Sequence, residues 1–242
     1  MNRANIEKIN ARLNLHYTKI ANRTQVSPIL ELPCITCQLK EFLPTYLALY
    51  HHPRDYMANP SSTGVCFFVD DRRFDNRDGL FNAIYYNDAK RLNFYRQRFN
   101  GVRIFIEPDY SLCGDMCLAE KVSRRFKMRT VAVWLATELH AIVIPLITYA
   151  NESSFRYMLD GIEDSNTVAF STKGSVRNKK HRDLLLKAVQ YTVDHMKLRY
   201  IVVYSTCSYE ITSDLFAYAI NNGVQLIIPR NRLQDLHAQR GD

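Results

Sequence analysis

The sequence predicts an α/β protein built on a mainly parallel sheet, because short apolar runs alternate with segments of helical periodicity along most of the chain. Six runs are mostly continuous in apolar residues, which is typical of strands that helices cover on both faces. They span residues 65–69, 102–106, 142–147, 168–170, 200–204 and 225–228. Strand-helix-strand order with short connections predicts right-handed crossovers, and therefore either a doubly wound sheet or an incomplete (β/α) barrel.

The segments between these runs carry apolar residues at spacings of three and four, the repeat of an amphipathic helix. Three such series lie within residues 81–99, 116–126 and 185–196. Turn-forming residues punctuate the pattern: an Asn-Gly pair precedes the second run at residues 100–101, another precedes the last run at 222–223, and Pro229 follows it. Each strand and helix therefore has a predicted beginning and end.

The first 63 residues show no such alternation, and prolines interrupt them at positions 28, 33, 44, 53 and 60. We expect an irregular N-terminal cap over residues 1–63, packed on an α/β domain of residues 64–242. A chain of 242 residues is short enough for the two parts to form one compact unit.

Composition excludes several classes of protein. Hydrophobic residues make up 47% of the chain and charged residues 23%, which is not typical of a disordered, collagenous or disulfide-scaffold protein. The longest apolar stretch, residues 141–150, is half of the roughly 20 residues that a membrane-spanning helix needs, and the N-terminus lacks the apolar core of a secretory signal. Six cysteines in such a chain are expected to be reduced thiols, so we expect a cytoplasmic protein.

The chain is basic, with 32 Lys and Arg residues against 24 Asp and Glu residues and a formal net charge of +8. The excess lies in two clusters, within residues 121–129 and 173–187. Basic patches attract phosphates, which predicts a nucleic acid or a nucleotide as the partner. The candidate contact residues are Arg124, Arg125, Lys179, Lys180 and Arg182. A solvated helix face is the alternative interpretation of both clusters.

Parallel α/β folds bind ligands beyond the carboxyl ends of their strands, where loops bring side chains from several strands together. Polar residues follow the predicted strands at these positions. They are Asp70, Asp71 and Arg73, then Asp109, Ser111 and Asp115, then Thr148, then residues 171–175, and finally residues 205–206. Carboxylates within reach of one another can hold a divalent metal ion or act as an acid and base pair. The candidates for this chemistry are Asp70, Asp71, Asp109 and Asp115.

Each carboxylate also has a structural interpretation. Asp109 and Asp115 fit turn and helix-cap positions, where a short carboxylate accepts backbone N–H bonds. Asp71 fits an ion pair with Arg73, worth about 0 to 1 kcal/mol if exposed. Asp70 directly ends an apolar strand, where its charge must be solvated, paired or bound to a ligand to offset desolvation. We therefore rank Asp70 first among the candidates.

A phosphate-binding loop is predicted at the end of the fourth apolar run. Small and hydroxyl residues there lead into a basic helical segment, so free N–H groups and a helix N-terminus could hold a phosphate. The residues are Ser171, Thr172, Lys173, Gly174 and Ser175. A left-handed turn at Gly174 with hydroxyl caps is the alternative. The loop lacks the Gly-x-x-x-x-Gly-Lys spacing, and the chain contains no Gly-x-Gly-x-x-Gly, so the common nucleotide-binding fingerprints are absent.

Metal and hydrolase motifs are weak or missing. Cys34 and Cys37 form a lone Cys-x-x-Cys, and with Cys113 and Cys117 they would make a zinc site only if the N-terminal segment folds over the second helix. Buried apolar cysteines are the more common alternative. The sequence has no His-Glu-x-x-His and no Gly-x-Ser-x-Gly, which removes zincins and the common serine hydrolases from the leading hypotheses.

Five runs of sequence occur in a characteristic order between about residues 64 and 205. They are FFVDDRRF at 67–74, PDYSLCGDMCLA at 108–119, VIP at 143–145, Ser154-Phe155 with DGI at 160–162, and VAFSTKG at 168–174. In this order they resemble domain-of-unknown-function family 4417, which occurs in bacteria, phages and integrated or plasmid-borne elements. The resemblance implies a mobile-element setting and no particular activity. The site that it implies comprises Asp70, Asp71, Arg73, Asp109, Ser111, Asp115, Asp160 and Ser171.

Two functional hypotheses follow. In the first, the chain is a mobile-element α/β enzyme that acts on a phosphate-containing substrate, a nucleotide or nucleic acid, through its carboxylate-rich rim. In the second, it is a non-enzymatic nucleic-acid-binding accessory protein for replication or regulation. Acids that converge in one concave pocket favour the enzyme, whereas dispersed acids beside a continuous basic face favour the binding protein.

Overall fold

Parallel strands alternate with helices in the computed structural model of the protein, which describes residues 24–41 and 43–240. The strands of this part of the chain are β1 (Tyr46–Leu49), β2 (Thr63–Cys66), β3 (Ile104–Ile106), β4 (Ile142–Ile144), β5 (Thr167–Ser171), β6 (Tyr200–Tyr204), β7 (Gln225–Ile227) and β8 (Arg230–Asn231). Every pairing between these strands is parallel. The predicted α/β class and its mainly parallel sheet are confirmed.

Strand order distinguishes the two predicted architectures in favour of the barrel. Five strands pair in the order β4-β3-β2-β1-β8 and three in the order β5-β6-β7. A parallel bridge between Leu146 and Ala169 joins β4 to β5, and only residues 228–229 separate β7 from β8. Strands that are neighbours in the sheet are also neighbours in the chain. At the end of the chain, β7 pairs with β6 and β8 pairs with β1, so the strands close into a ring.

Aromatic side chains fill the ring. Phe68, just after β2, lies with its ring centroid 4.9 Å from that of Tyr204 at the end of β6, although these strands are not adjacent in the sheet. Both residues are buried. The interior is therefore packed at this level, as in other (β/α) barrels.

Helices connect the strands and cover the outside of the ring. Their bounds are α1 (Pro53–Met57), α2 (Leu80–Tyr85), α3 (Ala89–Arg98), α4 (Leu118–Glu138), α5 (Lys179–His195), α6 (Tyr209–Leu215), α7 (Ala217–Asn221) and α8 (Arg232–Arg240), with 3₁₀ turns at Asp71–Arg73 and Glu152–Tyr157. Side-chain caps start several of them; Asn178, for example, accepts a 2.9 Å bond from the backbone N–H of His181 at the start of α5. Within residues 24–41 and 43–240, no helix has the length and apolarity to span a membrane.

The N-terminal region differs from the expected irregular cap. Residues 46–49 form β1, which pairs with β2 and β8 in the ring, so a boundary at residue 64 would divide the sheet. A four-residue strand beside several prolines is too short to show a reliable period in sequence. The irregular part is residues 24–41, where an antiparallel bridge joins Val26 to Pro33, and the Asn166 side chain holds Leu39 through two backbone hydrogen bonds.

A buried ion pair fastens the longest helix to the ring. Glu107, directly after β3, and Arg129 of α4 have side chains that are 0% and 2% exposed, and Arg129 Nη1 lies 2.5 Å from Glu107 Oε1. The second carboxylate oxygen of Glu107 accepts a 3.0 Å bond from the backbone N–H of Leu146, after β4. One carboxylate thus links α4 to the ends of two neighbouring strands.

We expect Glu107→Gln to lower the free energy of unfolding by about 3 to 5 kcal/mol, because it leaves the buried Arg129 charge without its counter-charge. Urea denaturation measures the change. Glu152→Gln is the matched control, since its partner Lys187 and its own side chain are both largely exposed, and its effect should stay within about 1 kcal/mol. Equal effects of the two substitutions on the free energy of unfolding would contradict a stabilising role of the buried Glu107–Arg129 pair.

Candidate functional site at the barrel mouth

A cavity of about 200 Å³ opens at the carboxyl ends of β3, β4 and β5. Its polar wall is formed by Asp109, Ser111, Thr148, Ser171, Lys173 and Ser175. Its apolar wall includes Phe68, Leu146, Ile147 and Phe170. Five predicted site residues therefore do meet around one space, together with Thr148: they are Asp109, Ser111, Ser171, Lys173 and Ser175.

Asp109 is the carboxylate of this cavity. Burial raises its pKa to about 7, the nearby Asp71 charge acts in the same direction, and Lys173 opposes both. In the described part of the chain no donor forms a hydrogen bond with the Asp109 side chain, so it is not a turn or cap residue there. An aspartate that titrates near neutral pH can accept or release a proton under physiological conditions.

Asp71 lies beside the cavity and holds its loops in place. One of its carboxylate oxygens accepts bonds from the backbone N–H and hydroxyl of Ser111, at 3.3 and 3.1 Å. The other lies 2.5 Å from Arg124 Nη1 of α4, and Arg124 also bonds Glu120. Its partner is therefore Arg124, and not Arg73 as one interpretation of the sequence proposed. Asp71 connects the loop after β2, the loop after β3 and α4.

Asp70 faces solvent at the start of the 3₁₀ turn. Its carboxylate accepts the backbone N–H of Arg72 at 3.0 Å and pairs with the Arg72 guanidinium at 3.0 and 3.1 Å. These hydrogen bonds lower its pKa to about 2. Asp70 does not line the cavity, and its charge at the strand end is compensated by solvent and by its hydrogen bonds with Arg72.

Asp115 and Asp160 lie apart from the cavity wall. Asp115 is exposed in the loop before α4, whose N-terminal cap is Cys117, so Asp115 is not the helix cap that the sequence allowed. Asp160 is buried and accepts bonds from the Ser27 hydroxyl at 2.6 Å and from two backbone N–H groups at residues 29 and 30. Asp160 thus anchors the N-terminal segment to the barrel.

Some residues of the loop after β5 stabilise the loop itself, and others line the cavity. Gly174 has φ +83°, the left-handed turn that was one of the two interpretations, and Thr172 is buried and bonded to Thr206 after β6. Lys173 instead extends across the barrel, where its ammonium group donates a 2.5 Å bond to the carbonyl of Phe68. Helix α5 begins only at residue 179, so its N-terminus is not part of this loop.

The first basic cluster is used inside the protein. Arg125 is buried and donates to the carbonyls of Thr148 and Met158 at 2.7 and 3.2 Å; this corrects the prediction that it contacts nucleic acid, because no polyanion can reach it. Arg124 is engaged by Asp71 and Glu120. By contrast, Lys179, Lys180 and Arg182 are exposed on α5 and form no ion pair with any residue in the described ranges.

The predicted metal ligands do not come together. In the described ranges no three His, Cys, Asp or Glu side chains are grouped so that they could hold a metal ion. This contradicts the possible zinc site of Cys34, Cys37, Cys113 and Cys117: Cys37 is buried and the last two are exposed. Both carboxylate oxygens of Asp71 are already engaged, so Asp71 and Asp109 fit a divalent metal site poorly.

Sequence reasoning did not select two further residues at the mouth. His51 lies two residues after β1, and Arg232 directly follows β8. Both strands are too short to be predicted from sequence, so nothing in the sequence marks these residues as following a strand. A pair of adjacent histidines and an arginine after Pro229 were the only signals in the sequence.

The fold and the site define a parallel (β/α)-barrel protein with a small, partly polar cavity at the carboxyl ends of its strands. The chain belongs to the family described as a domain of unknown function, DUF4417, whose model matches residues 24–222. This confirms the resemblance seen in the sequence.

Two phage proteins are similar to the chain. The Gene 1 protein of Mycobacterium phage L5 is 28% identical over 167 residues, which cover 68% of this chain and 67% of that protein. The Gene 1 protein of Mycobacterium phage D29 is 28% identical over 171 residues, or 69% of this chain and 58% of that protein. The chain thus spans less than two thirds of the D29 protein. The family is phage-associated and of unknown function.

We expect Asp109→Asn to stabilise the protein increasingly as pH rises. An acid whose pKa is higher in the folded state than in the unfolded state favours folding fully only below its unfolded pKa, near 3.9 for aspartate. That contribution is lost as pH rises through the folded pKa of about 7. The melting temperature of the variant should match wild type near pH 4 and exceed it at pH 8.

Asp115→Asn provides the control, because Asp115 is an exposed aspartate in the same connection. Its melting temperature should follow the wild-type pH profile. Parallel profiles for wild type and Asp109→Asn would show that the Asp109 carboxyl titrates as it does in the unfolded chain.

Proposed function

We propose that the barrel mouth is an active site in which Asp109 exchanges a proton with a small phosphate-containing substrate held by Lys173. The observation that carries this proposal is the position of Asp109, which lies without a hydrogen-bond donor of its own in a cavity at the carboxyl ends of parallel strands. In characterised (β/α) barrels of the eight-stranded type, active sites lie at this end.

The surroundings suit an acid or base better than a permanently charged group. The walls that remove water from Asp109 keep its proton available near neutral pH, where general acid–base catalysis is most efficient. Lys173 supplies a positive charge on the same wall, and an ammonium group favours an anionic substrate. Hydroxyls of Ser171, Ser175 and Thr148 provide further polar contacts.

The size of the cavity favours a small molecule or a single nucleotide end. A volume of about 200 Å³ accommodates a group of sugar or monophosphate size and is below the range of roughly 300 to 1,000 Å³ of sites for drug-sized ligands. A nucleic-acid duplex does not enter such a space. A phosphate-containing substrate would place its reactive part inside and its remaining part at the mouth.

Turnover tests this proposal. The wild-type protein is incubated with a panel of small phosphate monoesters and nucleotides, and consumption of each is measured by mass spectrometry. We expect Asp109→Asn to lower kcat by about 10²- to 10⁴-fold on any substrate that is turned over, because general acid–base catalysis contributes that much. Asp115→Asn should retain wild-type turnover. Turnover that survives Asp109→Asn unchanged would contradict the role of Asp109.

One observation favours a second function, the binding of nucleic acid. Lys179, Lys180, His181 and Lys187 line a groove of about 990 Å³ that also runs along residues 150–153, directly after the loop that lines the cavity. Glu152 pairs with Lys187 in this groove, whereas Lys179 and Lys180 are exposed. A polyanion lying there would be bound mainly by charge, independently of sequence.

We expect the triple substitution of Lys179, Lys180 and Arg182 by Ala to flatten the salt dependence of DNA binding. Each phosphate contact contributes about 0.9 to the log–log slope on duplex DNA, so the slope should fall by up to roughly 2.7. Fluorescence anisotropy at salt concentrations between about 50 and 200 mM measures this slope. Lys90→Ala, an exposed lysine of α3, is the control. An unchanged slope would assign this basic surface to solubility.

A further inference from the structure

Three cationic side chains lie close enough to His51 at the barrel mouth for their charges to act on it. Arg73, His51 and Arg232 follow β2, β1 and β8, which are three adjacent strands of the ring. Lys173 reaches the same area from β5, because its ammonium group is bonded to the Phe68 carbonyl at the end of β2. Side chains from four different loops therefore gather at one place that is not part of the cavity wall, except through Lys173.

Two acids beside this cluster are already engaged, whereas Asp109, whose charge acts on Lys173 from the cavity wall, has no hydrogen-bond donor among the described residues. Asp70, beside Arg73, is bound at both carboxylate oxygens by Arg72. Asp55 of α1 lies 3.6 Å from Arg232, which it partly neutralises. In the described ranges no acid pairs with Arg73, and both Arg73 and Arg232 are exposed. The cluster therefore keeps an excess of positive charge directed at solvent.

His51 lies beside these charges as a neutral ring. Burial lowers its pKa to about 4, and the charges of His52, Arg73, Lys173 and Arg232 act in the same direction. Its Nδ1 atom is inaccessible to water and has no partner among the described residues, and its ring lies 3.9 Å from that of His52. A phosphate can therefore reach the ring only at Nε2, where the one N–H donor of a neutral imidazole suits an anion.

We propose that His51, Arg73, Lys173 and Arg232 form a binding site for one phosphate group, the charged end of the substrate. The inference rests on the proposed function in one respect: Lys173 borders both places, so a phosphate in the cluster would direct the rest of the molecule toward Asp109. Two guanidinium groups and an ammonium group match a phosphate dianion, since arginine presents N–H donors in the fork geometry that phosphate oxygens accept.

The phosphate can belong to a small phosphate ester or to the terminal phosphate of a nucleic-acid strand. Both present the same dianion, and both leave the remainder of the molecule free to enter the cavity or to extend along the groove of Lys179 and Lys180. Internal phosphodiesters carry a single charge and have only two non-bridging oxygens that can accept hydrogen bonds. We expect them to bind this site more weakly.

Inorganic phosphate is the probe for the site. Its dissociation constant is measured by isothermal titration calorimetry with the wild-type chain, Arg73→Ala, Arg232→Ala and Arg77→Ala. Arg77 is an exposed arginine that is not among the charges acting on His51. We expect each of the first two substitutions to weaken binding about tenfold or more, since charge-assisted bonds are lost, and Arg77→Ala to leave it unchanged.

Two further arms separate the sources and the two proposals. If the phosphate belongs to a strand end, a short oligonucleotide with a 5′-phosphate should compete with inorganic phosphate better than the same oligonucleotide without it. If the two oligonucleotides compete equally and a small phosphate monoester binds more tightly than both, the phosphate belongs to a small molecule. Asp109→Asn should keep phosphate binding, so that loss of turnover alone concerns Asp109. Phosphate binding that is absent in wild type, or unaffected by both Arg73→Ala and Arg232→Ala, would overturn the phosphate site.

Discussion

This side of the barrel depends on the buried ion pair between Glu107 and Arg129. The Glu107 carboxylate holds Arg129 of α4 and the backbone of Leu146 at once, so the ends of β3 and β4 and the longest helix share one fixed point. The loops after these two strands supply part of the cavity wall. A charge buried at this position costs desolvation unless both ions are paired, so the helix cannot shift without exposing an unpaired charge.

The same helix explains why net charge is a poor guide to function here. Arg125 and Arg129 of α4 direct their guanidinium groups into the protein, and Arg124 bonds two acids at its edge. The basic residues of this cluster thus form hydrogen bonds and ion pairs between the helix and the loops. Exposed positive charge is found at other places, among them the barrel mouth and the first turn of α5.

Asp70 and Asp109 show how environment separates residues of one type. Both follow strands of the same sheet at the same end, yet Asp70 is exposed and hydrogen-bonded, with a pKa of about 2, and Asp109 is partly buried in the cavity wall, with a pKa of about 7. Hydrogen bonds to Arg72 favour the charged form of the first, and desolvation disfavours the charged form of the second. Such a divergence separates a structural carboxylate from one that can transfer protons.

The sequence by itself determined the α/β class, the parallel strands and the edge where polar residues meet, because apolar runs and turn residues report local periodicity and breaks. It also selected Asp109, Ser111 and Lys173, since residues after strands meet at one end of a parallel sheet. It could not distinguish the surroundings of Asp109 from those of Asp70, place Arg125 in the interior, or find β1 and β8, whose two to four residues carry no readable period. Burial, pairing and ring closure arise from contacts between distant segments, and only the tertiary structure brings those segments together.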